Sequence, residues 1–171
     1  MAKSSGKSVT RAIVLSALMG ALLIISKQIM SGLPNIEPVS FLIILYSLEF
    51  PKETPAGIAV FVLMQGILYG FGIWWFMYLY IWFILMAVTF LFRKIDHILF
   101  WAVISGLYGL AFGGLCSLIY ITKPSYALAW WLAGLPYDAV HGIGNFLIML
   151  VLYRPIRKAI QTAKKYMYKN G

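Results

Sequence analysis

The hydrophobic positions of this chain form long runs, which short clusters of charged residues, proline or glycine separate. Runs of this length without strict alternation of polar residues are typical of membrane-spanning helices. The pattern predicts an all-α fold, a single domain of six transmembrane helices over residues 1–171. The approximate spans are 9–30, 39–50, 56–72, 73–92, 98–121 and 128–153, and a basic tail follows at 154–171.

Composition agrees with a bilayer environment. Hydrophobic residues make up 62% of the 171-residue chain and charged residues only 11%. The core of one soluble domain of this length could not bury so many apolar side chains. The single cysteine, Cys116, excludes an intrachain disulfide and a cysteine metal site. His141 has no second histidine at ligand spacing, so we expect no metal ion and no cofactor.

The basic residues predict the orientation of the bundle. With six spans both termini share one side, and that side receives twelve of the 14 basic residues, whereas only Lys27 and Lys123 lie near the other. Such a bias predicts cytoplasmic termini. The net charge of +9 then suits the anionic inner leaflet, so membrane lipid is an expected contact and nucleic acid is not.

The second span is too short to cross a bilayer alone. Residues 39–50 give about 18 Å of helix, whereas the hydrocarbon core is about 30 Å thick. The preceding segment 31–38 contains two prolines and must cover the remaining depth, where irregular backbone is tolerated only against protein or a water-filled cavity. This favours a polar cavity holding Asn35 and Glu37, with a tilted helix and a headgroup-level loop as the alternative.

Three polar residues recur at helical spacing in the last apolar stretch. Asp138, His141 and Asn145 fall within an arc of about 60° on one helix face. Ionisable groups at such a depth are costly and usually functional, which predicts that the triplet contacts a ligand. The alternative is a structural network, in which Asp138 pairs with Lys27 and Asn145 bonds another helix. Pro136 fits the first turn of this helix.

Further polar and aromatic residues are predicted at the same side. Gln28 ends the first span beside Lys27, and Gln65 lies midway along the third. Aromatic rings cluster at the start of the fourth span and before the sixth, where they suit either the interfacial belt or stacking on a planar ligand. The additional substrate-binding candidates are Gln28, Gln65, Trp75, Tyr78 and Trp131.

Small residues four apart mark close helix approach. The fifth span carries Gly109-x-x-x-Gly113, and the first carries Ala17-x-x-x-Ala21 with Gly20 beside it. Such spacing lets two backbones touch in lipid. The face on the first helix is either internal or turned towards another protein.

Together these features resemble an S-component, the substrate-binding subunit of an energy-coupling factor (ECF) transporter. The resemblance spans the whole chain and rests on Ala17-x-x-x-Ala21, on residues 33–46 and on the last-helix sequence Leu135-Pro136-Tyr137-Asp138-x-x-His141-Gly142-x-Gly144-Asn145. It implies a multi-pass protein of the bacterial plasma membrane. A vitamin or related micronutrient would bind in an outward-facing pocket roofed by residues 31–38.

The resemblance also implies partners. The face formed by Ala17, Gly20 and Ala21 would contact a transmembrane coupling subunit, and two cytoplasmic ATPases would supply the energy, so the chain itself is not expected to be an enzyme. A cobalamin-type ligand is favoured, with a queuosine-type base or another vitamin as alternatives.

Two other classes of protein remain open. An intramembrane enzyme would need a nucleophile or metal constellation, and Asp138 with His141 forms no complete triad. A small secondary transporter or a channel is the other alternative, although no inverted repeat is visible in the sequence.

Overall fold

The computed structural model describes residues 2–33 and 35–169, and the regular secondary structure of these residues is all helical, without a strand. Pro34, within the predicted roof segment, and the side chains of Lys3, Lys7 and Lys169 lie outside the described part. The α-helices are α1 (Ala2–Ile29), α2 (Val39–Glu49), α3 (Thr54–Tyr69), α4 (Ile73–Phe92), α5 (Ile98–Ser117) and α6 (Pro124–Lys169), and a 3₁₀ turn (Leu118–Tyr120) follows α5.

Four helical segments of the described residues are long and apolar enough to cross a membrane. They are Val9–Ile29, Ile73–Phe92, Ile98–Tyr120 and Pro124–Met167. Helices α2 and α3 are apolar but shorter, with 11 and 16 residues. Length and composition therefore make this an all-helical, membrane-embedded protein.

The last helix differs most from the sequence-based expectation. The expected helix start at Gly134-Leu135-Pro136 is not observed, because α6 begins at Pro124 and runs through both Pro136 and Pro155. The basic segment that we expected to be a tail after Tyr153 continues the same helix to Lys169. A proline inside a helix removes one hydrogen bond, and packing against neighbouring helices compensates for that loss.

The short helix α2 occupies the centre of the bundle. Nine of its 11 residues are buried, and it contacts α1, α3, α4, α5 and α6. Phe41, Ile43, Ile44 and Leu45 are almost completely enclosed, and together with Trp82 of α4 they form the middle of the core. A helix surrounded by protein on all sides needs no polar face, which explains why apolar residues occur on every side of α2.

Glycines allow the closest helix contacts. Helices α5 and α6 form the most extensive contact of the bundle. A Cβ atom on Gly109 would lie 2.8 Å from both the backbone nitrogen and the Cα of Gly142, so neither helix has room for a side chain there. On the other side, α1 packs on α3, where a Cβ on Gly57 would lie 3.0 Å from that of Met19.

Consecutive helices run in opposite directions between two ends of the bundle. We call the end with residues 31–38 the loop end, where Lys27 of α1 reaches Tyr78 of α4. The opposite end, which carries Glu49, Asp96 and residues 154–169, is the tail end. There Arg157 joins Glu49 and Asp96, so that α2, the α4–α5 turn and α6 are held together.

Candidate functional site

A polar cavity of about 320 Å³ opens at the loop end. The C-terminal parts of α1 and α3, the segment 31–38 and single side chains from α4, α5 and α6 enclose it. Its lining residues are Lys27, Gln28, Met30, Ser31, Leu33, Asn35, Ile36, Glu37, Tyr69, Tyr78, Phe112 and His141. A concave site with a few convergent polar groups in an apolar protein is the usual form of a small-molecule site.

An ion pair forms the charged part of the cavity wall. The Lys27 ammonium lies 3.2 Å from the Glu37 carboxylate and donates a hydrogen bond of 2.6 Å to the Tyr78 hydroxyl. The side chains of Lys27 and Glu37 are 26% and 16% exposed, so the pair is only partly removed from solvent. Because each group retains free hydrogen-bonding capacity, a ligand can bind either charge without leaving the other unpaired.

The rim of the cavity is polar. The Tyr69 hydroxyl, at the end of α3, donates a hydrogen bond to the side-chain oxygen of Gln28. Asn35 is exposed and adopts a left-handed backbone conformation with φ of 57°, which asparagine tolerates better than most residues. Asn35 and the two residues after it, Ile36 and Glu37, line the cavity.

His141 is the most buried of the residues that line the cavity. Its side chain is 3% exposed, and its ring packs edge-on against Phe112 with centroids 4.8 Å apart. Nε2 has no hydrogen-bond partner among the described residues. A buried nitrogen without a partner is costly, so a ligand group that bonds it would gain affinity.

Asp138 does not line this cavity. Its Oδ1 accepts a hydrogen bond of 2.9 Å from the backbone nitrogen of Gly113, and a Cβ atom at that glycine would overlap the carboxylate. Trp131, one of the predicted aromatic contacts, also packs on α5, where a Cβ on Gly114 would lie 3.1 Å from its ring. Both side chains therefore face α5 rather than the cavity.

Asn145 holds three helices together. Its Nδ2 donates to the Ser40 hydroxyl of α2 at 3.2 Å and to the Ser105 carbonyl of α5 at 3.4 Å. Asp138 and Asn145 thus make contacts between helices, and their role as ligand contacts stays a prediction. The particular pair of Lys27 with Asp138 is not formed, because Lys27 pairs with Glu37.

Two further predicted residues lie away from the cavity. Gln65 is buried in α3, and the indole nitrogen of Trp75 donates a 2.9 Å hydrogen bond to the Val62 carbonyl. The structure therefore brings five of the ten candidates together: Gln28, Asn35, Glu37, Tyr78 and His141. It adds the aromatic residues Tyr69 and Phe112, which the sequence pattern did not single out.

The small-residue face of α1 is divided between two environments. Ala17 is exposed and lines a groove of about 480 Å³ between α1 and α3, whereas Ala21 is half-buried. Gly20 is buried, and a Cβ atom there would lie 3.1 Å from the Gly57 carbonyl. Within this chain, Gly20 contributes to internal packing, and Ala17 is accessible.

Comparisons of the chain with protein-family models, with curated proteins and with solved structures give no match. The fold and the cavity therefore define the class: a membrane-embedded helical protein with a polar cavity at one end.

Proposed function

We propose that this chain is an S-component, the substrate-binding subunit of an ECF-type transporter, with six membrane-crossing helices and cytoplasmic termini. The observation that carries the proposal is the polar cavity at the loop end, in which a partly exposed ion pair and an unpartnered histidine nitrogen lie together within an apolar bundle. A transmembrane coupling subunit and two ATPases would be its partners.

The charge distribution supports an outward-facing cavity. Six basic residues follow Tyr153 at the tail end, and the positive-inside bias supports a cytoplasmic position for that end. The loop end would then face outwards. Segment 31–38 would form the roof through which a ligand enters.

The size of the cavity bears on the ligand. A volume of about 320 Å³ lies at the lower end of the range for drug-sized ligands, about 300–1,000 Å³. A corrinoid macrocycle with its nucleotide tail is much larger, so cobalamin would require residues 31–38 to move away. The volume favours the smaller alternatives, a queuosine-type base or another small vitamin. Such a heterocycle can stack on Phe112 and bond His141 and the Lys27–Glu37 pair.

The proposal predicts that His141→Ala weakens ligand binding. Loss of a hydrogen bond in a desolvated site costs about 1–3 kcal/mol, which corresponds to about 5- to 150-fold in affinity. The measurement is titration calorimetry on the purified full chain with the ligand selected from a panel of vitamins and purine-like bases. His97→Ala is the matched control, because His97 lies exposed at the tail end and its loss should leave affinity unchanged.

Failure of every panel member to bind the wild-type chain would contradict the proposal. Solute flux through the chain alone, in liposomes without an ATPase, would instead identify a secondary transporter or a channel. Product formation from a bound compound would identify an enzyme.

A second prediction concerns the coupling subunit. Ala17→Trp should prevent co-purification with the coupling subunit and abolish uptake, because the larger ring blocks the groove between α1 and α3. Ligand affinity of the isolated chain should not change, since Ala17 lies towards the tail end. Ala87→Trp places the same ring on an exposed position of α4 and should leave assembly intact. Normal assembly and uptake with Ala17→Trp would exclude this face as the docking surface.

A further inference from the structure

Two concave surfaces lie along the seam between α5 and α6. At the tail end is a pocket of about 300 Å³, the cationic pocket, which Arg154, Arg157 and Lys158 line together with Asp96 and Tyr153. Nearer the loop end is a second concavity of about 290 Å³, the apolar groove, which Val103, Gly106, Leu110, Gly142, Phe146 and Leu147 line. Neither surface belongs to the cavity described above.

The two surfaces lie on the same face of α6. Ile143 and Leu147 in the groove lie in line with Leu150, Arg154 and Lys158, because these positions follow one another at intervals of three or four residues. Leu147 and Arg154 are seven residues apart, which is about 10 Å along the helix axis. A single molecule with a charged end and an apolar chain can therefore occupy both surfaces.

The cationic pocket has positive charge that the protein does not neutralise. Arg157 pairs with the carboxylates of Glu49 and Asp96. Arg154 and Lys158 are exposed, and neither forms an ion pair with any of the residues that the structure describes. Two free cations beside a third that is already paired form a site for an anion such as a phosphate group.

The apolar groove owes its depth to missing side chains. Gly106 and Gly142 form its floor, while Leu110 and Phe146 contribute side chains to its walls. A Cβ atom on Gly142 would lie 2.6 Å from the Leu110 side chain, so a side chain at position 142 would collide with a wall of the groove. The shape of the groove and its apolar lining suit a hydrocarbon chain.

We propose that the α5–α6 seam is a binding site for an anionic phospholipid. The phosphate lies between Arg154 and Lys158, and one acyl chain occupies the apolar groove. Charge complementarity and the alignment of the two surfaces on one helix face select this occupant over a neutral lipid or a partner helix, because basic pockets between membrane helices commonly hold anionic headgroups. The site is independent of the compound that the loop-end cavity binds.

The test compares lipid binding to the full chain by native mass spectrometry from mixed micelles. Phosphatidylglycerol and phosphatidylcholine with the same acyl chains are the two probes. Arg154→Gln with Lys158→Gln should reduce the preference for phosphatidylglycerol by about 5- to 30-fold, since each cation near a membrane surface contributes about 1 kcal/mol. Arg93→Gln with Lys165→Gln removes the same charge outside the pocket and should leave the preference nearly unchanged.

A second pair of variants tests the groove. Val103→Trp on α5 and Ile143→Trp on α6 fill it from opposite walls at exposed positions, and both should weaken phosphatidylglycerol binding at least about threefold without a change of net charge. If Arg93→Gln with Lys165→Gln lowered the preference for phosphatidylglycerol as much as Arg154→Gln with Lys158→Gln does, the attraction would be non-specific and the proposal would be overturned. Unchanged binding with either tryptophan, or full displacement of the lipid by equimolar glycerol 1-phosphate, would also overturn it.

Discussion

Replacing Gly109 with alanine is expected to lower the melting temperature of the chain in detergent by about 6–12 °C. The new Cβ atom would lie 2.8 Å from backbone atoms of His141 and Gly142, and backbone cannot move aside as a flexible side chain can. Helices α5 and α6 must therefore separate, and overpacking of this kind costs about 3 kcal/mol. His141 is displaced with α6, so ligand affinity should fall as well.

The matched control is Gly134→Ala on α6. A Cβ atom there meets nothing within 4 Å, and alanine favours a helix more than glycine does. The melting temperature should stay the same or rise slightly. If the two variants melted at the same temperature, the close α5–α6 contact at Gly109 would not contribute to stability.

The sequence predicts most of the helices but not all of their ends. Helix α4, residues 73–92, lies where the hydrophobic run predicts it, because Gly72 precedes that run and the charged residues Arg93 and Lys94 follow it. The end of α6 was not predictable in this way. Its segment after Tyr153 stays helical because Arg157 and Lys164 bind Glu49 of α2, a contact between residues more than a hundred positions apart.

The site shows the same division between local and long-range information. Residues 31–38, with their prolines and polar side chains, predicted a cavity at the loop end, and Asn35 and Glu37 line it. The spacing of Asp138, His141 and Asn145 correctly places them on one face of α6, but spacing does not say which neighbour each side chain meets. Close contact with α5 turns Asp138 to Gly113 and leaves His141 at the cavity.

The tail end offers a comparison of two ion pairs that share one arginine. Arg157 donates a 2.8 Å hydrogen bond to Glu49, whose side chain is 7% exposed, and also pairs with Asp96, which is 74% exposed. Glu49 further accepts hydrogen bonds from Gln161, at 2.8 Å, and from Lys164. The buried carboxylate thus holds three side chains of α6 on the end of α2.

Glu49→Gln is therefore expected to be strongly destabilising. Loss of the buried carboxylate leaves Arg157 with only the exposed Asp96 and takes away the Glu49 partner of Lys164, and breaking a buried pair in this way costs about 3 kcal/mol. The melting temperature should fall by about 6–12 °C. Limited trypsin digestion should also cut faster between residues 154 and 169, because the end of α6 loses its attachment to α2.

Asp96→Asn removes the exposed partner of the same arginine with an equally conservative change. An exposed ion pair contributes about 1 kcal/mol or less, so this variant should melt within about 4 °C of the wild type and keep its resistance to trypsin. Because Arg157 is common to both pairs, the comparison isolates the effect that burial of the carboxylate has on stability. Equal destabilisation by Asp96→Asn and Glu49→Gln would mean that the total charge of the cluster, and not the buried carboxylate, attaches α6 to α2.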